Sequence, residues 1–215
     1  MSVWGQTSFQ DPASLTMEHI SNVHDLVMVI VIFILSMVIY TMFSILSSKS
    51  WNLAFISSEM MEVAWISIPS VVLVALAFPS LNCLYMMEEV VKPAIMSKVI
   101  GHQWYWSYEE YKPQLGWESS DSYMKSDLGE SDPRLLSCDY SLSGVLGSEI
   151  RLMVTSADVI HSWTVPSLGV KVDAVPGRIN QLSFTPSQVG EFFGQCSEIC
   201  GAMHSFMPIS VKVRL

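Results

Sequence analysis

Charge is scarce in this chain, and positive charge is scarcer. Of its 215 residues only 14% are charged, with 11 Lys and Arg against 20 Asp and Glu, for a formal net charge of −9. Phosphate binding takes clustered Lys and Arg, so the shortage of bases excludes a nucleic-acid partner. An acidic surface fits a basic partner or a cation instead. Cysteines number four, at Cys83, Cys138, Cys196 and Cys200, too few for a disulfide scaffold at this length. No Ser-His-Asp arrangement, phosphate-cradling glycine loop or pair of hydrolytic acids stands at a suggestive spacing. Residues 1–21 lack the basic start, short apolar core and small-residue cleavage site of a secretory signal, and also the Arg-rich pattern of a transit peptide. No processed leader is therefore expected, and no internal repeat or low-complexity tract is seen.

Apolar residues fill the space that charge leaves. Half of the chain is hydrophobic and its mean hydropathy is +0.38, too greasy for an ordinary soluble enzyme. Residues 26–48 carry no charge, and at 1.5 Å rise they make a helix of about 34 Å, enough to cross a hydrocarbon core. A second uncharged run, residues 63–87, contains Pro69 and Pro79, which membrane helices tolerate when neighbours satisfy the freed backbone groups. The short segment 49–62 joins the two into a hairpin with both ends on one side of a lipid bilayer. After Glu88 the pattern changes to short alternating runs, such as Ile150, Leu152, Val154 and Ile209, Val211, Val213, punctuated by Gly and Pro. Such runs predict an all-β sandwich or small Greek-key barrel of antiparallel sheets. The expected division is 1–90 for the N-terminal segment and hairpin, and 91–215 for the β domain; 15 of the 20 acids lie in residues 88–215.

The densest chemistry lies in Gly194-Gln195-Cys196-Ser197-Glu198-Ile199-Cys200-Gly201-Ala202-Met203-His204-Ser205-Phe206-Met207-Pro208. Two thiols, an imidazole and a thioether fall between a strand ending near Phe193 and another beginning near Ile209. Thiolate plus thioether favours copper over carboxylate-seeking metals. Zinc also uses Cys and His, but a structural zinc site needs no Met, and a fourth Cys or His is missing here. A mononuclear blue copper site takes one Cys, two His and a Met, so this loop has one Cys too many. Two thiolates can bridge two copper ions, each needing a terminal nitrogen. His204 supplies one. His19 and His24 precede the membrane, which leaves His102 and His161, and His161 follows a strand as a loop ligand at a barrel rim would. Cys83 reads as a small buried hydrophobe, and Cys138 receives no role.

A second cluster is Gly101-His102-Gln103-Trp104-Tyr105-Trp106-Ser107-Tyr108-Glu109. Taken as one strand, it faces Trp104, Trp106 and Tyr108 one way and Tyr105 the other. One reading is aromatic packing at a membrane boundary; the other is an aromatic platform at a docking surface through which an electron enters. Glu109, Asp121, Asp139 and Asp158 are available to ring such a platform for a basic partner.

With these residues in view, the chain resembles the subunit II family of cytochrome c oxidase. The likeness covers nearly the whole sequence and is most specific in 102–108, 161–177 and 194–208. It implies an α+β membrane protein, a two-helix transmembrane hairpin followed by an all-β, cupredoxin-like Greek-key barrel. It further implies a binuclear copper centre in which Cys196 and Cys200 bridge both ions, His161 and Met207 complete one, and His204 with the Glu198 carbonyl completes the other. The Glu198 carboxylate would bind a magnesium ion shared with subunit I, which itself holds haem a, haem a3 and the second copper site. Trp104 matches the aromatic where the electron enters. Tyr105, Asp139 and Asp158 match the surface facing cytochrome c, and Glu62 matches the mouth of a proton path.

The activity so implied is transfer of electrons from reduced cytochrome c through the copper centre to haem a, for reduction of oxygen to water coupled to proton pumping. The implied partners are cytochrome c, subunit I and other oxidase subunits. Without a bacterial type of leader, the expected location is the mitochondrial inner membrane, with both termini and the copper domain on the intermembrane-space side. A nitrous oxide reductase shares the copper loop, but the hairpin and the 102–108 run weigh against it. A copper chaperone needs an exchangeable site, unlike ligands spread over two loops.

Overall fold

Two long helices precede ten short strands in the computed structural model, which describes residues 3–50, 57–88, 93–112, 116–130 and 132–215. Helix α1 spans Leu15–Ser47 and α2 spans Glu59–Glu88. Their apolar side chains face outward; Phe33 is 66% exposed and Val71 68%. Such surfaces are stable only in lipid, and both helices are long and apolar enough to span it. Three hydroxyls bond back within the helices: Ser36 Oγ donates to the Phe33 carbonyl, Thr41 Oγ1 to Val38 and Ser70 Oγ to Ile66. These three have no need of water. α2 continues through Pro69 and Pro79, as expected. Helix α1 begins well before the uncharged run, because Ser14 caps it: its Oγ accepts the Met17 N–H at 3.1 Å and donates to the Leu168 carbonyl at 2.7 Å. Parts of segment 49–62, and the expected boundary between residues 90 and 91, lie outside the described residues.

Contacts divide the chain into two units, Ser21–Tyr85 and the rest, Met1–Ile20 with Met86–Leu215. In the second unit, Ala13 N–H donates to Ser167 O, Ser187 N–H donates to Ala13 O, and Ser14 bridges to Pro186. The N-terminal segment therefore belongs with the strands. At Gly169, φ is +65° and a Cβ would meet the Met17 backbone at 2.9 Å, so only glycine allows this contact.

The strands are β1 (Ile95–His102), β2 (Tyr105–Lys112), β3 (Gly116–Ser122), β4 (Leu142–Val145), β5 (Ile150–Ser156), β6 (His161–Val165), β7 (Val170–Ala174), β8 (Asn180–Phe184), β9 (Gly190–Gln195) and β10 (Pro208–Arg214). They form a five-stranded sheet in the order β3-β2-β1-β5-β8, a three-stranded sheet β4-β10-β9 and the pair β6-β7. Most pairings are antiparallel, but β1 with β5 and β4 with β10 run parallel. That departs from the purely antiparallel expectation. Partners far apart in sequence close the barrel, and a long connection can bring a strand back in either direction.

Alternation builds the core: Ile150, Leu152 and Val154 of β5 are fully buried, as are Trp106, Tyr108, Trp163, Ile209 and Val211. The aromatic run is not one strand. His102 pairs with Tyr105, so Gln103 and Trp104 form the turn of a hairpin; Trp106 and Tyr108 enter the core while Trp104 stays half-buried at its end. Trp163 Nε1 donates to Tyr108 Oη at 3.2 Å, satisfying a buried indole next to the His161 end of β6.

Gly194→Ala tests the tightest packing. A Cβ there would stand 1.8 Å from the Thr164 carbonyl oxygen, a backbone clash expected to cost about 3 kcal/mol or more. A thermal unfolding midpoint equal to that of the unsubstituted chain would contradict this crossing of β6 and β9.

Candidate metal centre

Three connections meet at one end of the barrel: the β1–β2 turn, the segment before β6 and the long loop from β9 to β10. β6 begins at His161, whose ring is fully buried. Cys196 and Cys200 are buried as well. The His161, Cys196 and Cys200 donor atoms all lie within 4.8 Å of one another. Cys196 Sγ stands 3.9 Å from His161 Nδ1. Cys200 Sγ stands 3.5 Å from both His204 Nδ1 and Met207 Sδ. The Glu198 carbonyl oxygen is 3.3 Å from Cys196 Sγ. Two donors bound tetrahedrally to one ion at ordinary metal–thiolate and metal–imidazole lengths are about 3.6 Å apart. The observed separations fit metal ligands without rearrangement of the loops.

The tautomer of His161 follows from its neighbour. Asp158 Oδ1 lies 2.8 Å from His161 Nε2, and an ionised carboxylate only accepts, so Nε2 carries the proton and Nδ1 turns its lone pair toward the sulfurs. Asp158 also accepts from the N–H groups of Val159 at 2.6 Å and Gln103 at 2.7 Å. Burial opposes its charge, but the His161 contact and these N–H donors outweigh it and lower its pKa. Burial likewise opposes a charged His161, yet Cys196 and Asp158 raise its pKa. The two thiols part company. Burial raises both, but His161 and nearby backbone donors bring Cys196 down to about 7, whereas burial and the charge of Cys196 push Cys200 up to about 12. Alone, the pocket carries one thiolate readily and resists a second. A bound cation removes that resistance, which is the electrostatic signature of a thiolate metal site.

Glycines make room. A Cβ on Gly101 would stand 2.8 Å from His161 Cδ2. Gly201, with φ +131°, lies beneath Trp104, whose ring would meet an added Cβ at 3.0 Å. The structure thus gathers His161, Cys196, Cys200, His204, Met207 and the Glu198 carbonyl, with Trp104 and Asp158 against them. The Glu198 residue is exposed. Tyr105 stacks between His102, at 4.5 Å, and Tyr123, at 4.4 Å. Asp139 Oδ1 accepts the Tyr123 N–H at 2.6 Å. Glu62 stands in the first turn of α2, in the helical unit. Gln103, Gly101 and Gly201 stand in the two sequence clusters without an assigned role there; apart from glycine flanking a ligand, the sequence offers little sign of one.

A two-helix membrane anchor followed by a β-barrel domain with a buried His/Cys/Cys cluster at one end defines a membrane-anchored metalloprotein of cupredoxin-like fold. Residues 2–83 match the family described as cytochrome c oxidase subunit II, transmembrane domain, and residues 95–214 match its periplasmic domain. The chain is 47% identical over 214 residues to cytochrome c oxidase subunit 2 of Aedes aegypti, covering 99% of this chain and 93% of that one. It is 48% identical over 214 residues, with the same coverage, to the same subunit of Sympetrum striolatum. The crystal structure of the periplasmic domain of subunit II of the Bradyrhizobium japonicum cytochrome oxidase superposes with a TM-score of 0.54 at 44% identity, covering 59% of this chain and 88% of that one. The chain belongs to the cytochrome c oxidase subunit II family, the copper-binding subunit of haem–copper oxidases.

Two outcomes test the geometry. Gly101→Ala drives the His161 ring from its seat, so copper retained after dialysis against a chelator should fall while the fold persists; full retention would refute the contact. Cys138 lies outside the cluster, and burial, first among its influences, pushes its thiol up to about 12. At pH 8 its thiolate fraction is about one in ten thousand. Mass spectrometry after iodoacetamide treatment should find Cys138 unmodified in the folded protein and modified in guanidinium; labelling in the folded protein would contradict its burial.

Proposed function

We propose that this chain receives electrons from reduced cytochrome c at a binuclear copper centre in its β domain and delivers them toward haem a in subunit I. Haem a3 and the second copper, both in subunit I, would supply the chemistry there, reduction of oxygen to water coupled to proton pumping. The observation that carries the proposal is the convergence of two thiols, two imidazole nitrogens, a thioether and a carbonyl oxygen at one barrel end. One ion does not need so many soft donors. Cys196 and Cys200 would be held in common by the two ions, His161 and Met207 would serve one, and His204 with the Glu198 carbonyl would serve the other. When bound, the copper pair supplies a one-electron carrier.

The rest is the work of the chain. Buried cysteines and a buried imidazole keep water from the sulfurs, and two sheet ends hold the loop so that ligand positions change little with oxidation state. Burial to this depth also disfavours a chaperone, which must release its metal. Trp104, lying on Gly201 of the ligand loop, is the group through which the electron enters. Tyr105, Asp139 and Asp158 border that surface and face the basic cytochrome c. The Glu198 carboxylate, on the exposed side of the loop, would hold magnesium shared with subunit I. Glu62 lies at the mouth of a proton path. The division at residues 90 and 91 separates the hairpin from the copper domain. We assign the chain to the mitochondrial inner membrane, with both termini and the copper domain on the intermembrane-space side.

Purified oxidase should contain two coppers in this subunit and show the seven-line paramagnetic signal of an electron shared between them. One copper, or zinc, would overturn the assignment. Trp104→Leu should slow electron uptake from reduced cytochrome c by an order of magnitude or more with that signal intact, and an unchanged rate would remove Trp104 from the path.

A further inference from the structure

The turn between β1 and β2 supplies no metal ligand, yet it touches both segments that do. Just before it, at the end of β1, the Gly101 carbonyl accepts the Ala157 N–H at 3.1 Å. The Gln103 N–H donates to Asp158 Oδ2 at 2.7 Å, and Asp158 Oδ1 holds His161 Nε2 at 2.8 Å. On its other side the Gln103 side chain reaches the cysteine loop, where Nε2 donates to the Cys200 carbonyl at 2.7 Å. Next along that loop, an added Cβ on Gly201 would meet Gln103 Nε2 at 3.2 Å and Trp104 at 3.0 Å. The contacts close into a ring: His161, Asp158, Gln103, Cys200, the loop back to Cys196, and Cys196 Sγ facing His161 Nδ1 at 3.9 Å.

We infer that Gln103 is a positioning residue of the metal centre, a brace whose backbone holds the histidine segment through Asp158 and whose side chain holds the cysteine loop at Cys200. The inference rests on the copper reading proposed above. Loop 196–207 is anchored to sheet at its ends, and its middle needs a further tie if ligand spacing is to stay constant between oxidation states. Gln103 provides that tie from a third element. The same geometry gives Asp158 an inward task, since Oδ1 faces His161, Val159 and Ser156 while Oδ2 faces Gln103. Its side chain is 32% exposed, which leaves part of its charge to the surface. Glutamine suits the post because its amide donates to a carbonyl; glutamate has the shape without the donor.

The test compares purified oxidase carrying Gln103→Glu or Gln103→Ala with the unsubstituted complex. Loss of one such bond should raise amide hydrogen exchange in 196–207 about fivefold, with β9 and β10 unchanged. Copper should pass faster to a copper(I) chelator, the hyperfine splitting of the paramagnetic signal should shift, and any loss of turnover should fall in kcat rather than in KM for cytochrome c. Asp158→Asn should raise exchange at the Gln103 amide. Exchange, copper release and hyperfine splitting all equal to those of the unsubstituted complex would overturn the inference, and so would a change confined to KM. If Gln103→Ala fails to assemble, the near-isosteric Gln103→Glu carries the same comparison. If the unsubstituted complex lacks the two coppers, the proposed function falls, and the exchange of 196–207 still decides the brace.

Discussion

A single backbone crossing decides where the ligands meet. β6 starts at His161 and β9 ends at Gln195, so the two ligand-bearing segments come together only if these strands run side by side. They do so closely enough that a Cβ on Gly194 would fall 1.8 Å from the Thr164 carbonyl oxygen. Glycine is required here by space. Beyond the crossing, the Ser197 N–H donates to the Ser162 carbonyl at 3.0 Å, which carries Cys196 along β6 until its sulfur faces His161. Trp163, between Ser162 and Thr164, is locked into the core by Tyr108, so the strand cannot slide to relieve the contact. The metal end inherits its precision from packing that contains no ligand at all.

This explains what was legible in the sequence and what was not. The ligand loop was readable because soft donors crowd into twelve positions, and His161 because elimination left few histidines. The spans were readable because lipid demands long uncharged runs. The start of α1 was hidden, since its first turns are held by Ser14 and by contacts to Ser167 and Leu168 from far along the chain. The hairpin turn at Gln103 and Trp104 was hidden for a different reason. A run of aromatics looks like one strand when alternation is the guide, and neither residue is a usual turn former. Parallel pairing of β1 with β5 leaves no mark in either strand alone.

Two acids of the same formal kind end in different work, which composition cannot distinguish. Asp139 accepts the Tyr123 N–H and so steadies the ring that stacks on Tyr105, itself stacked on His102. Its charge stays at the surface beside an aromatic ladder. Asp158 points one oxygen at the imidazole and the other at the β1–β2 turn. Fixing the Nε2 proton leaves Nδ1 as a lone-pair donor, so this carboxylate determines which histidine nitrogen can bind metal.

The thiols complete the electrostatic argument. Cys196 is poised to ionise near neutrality because imidazole and backbone N–H groups outweigh its burial; Cys200 is held protonated by burial and by that neighbouring charge. A polypeptide pocket therefore stabilises one negative sulfur and resists two. Metal cations reverse the resistance, because each thiolate then faces positive charge at bond distance. Since the loops are already spaced for ligation, binding need not reorganise them, and its free energy adds directly to the stability of the barrel end. The close spacing of the donors and the charge imbalance between the two thiols come from the same buried cluster.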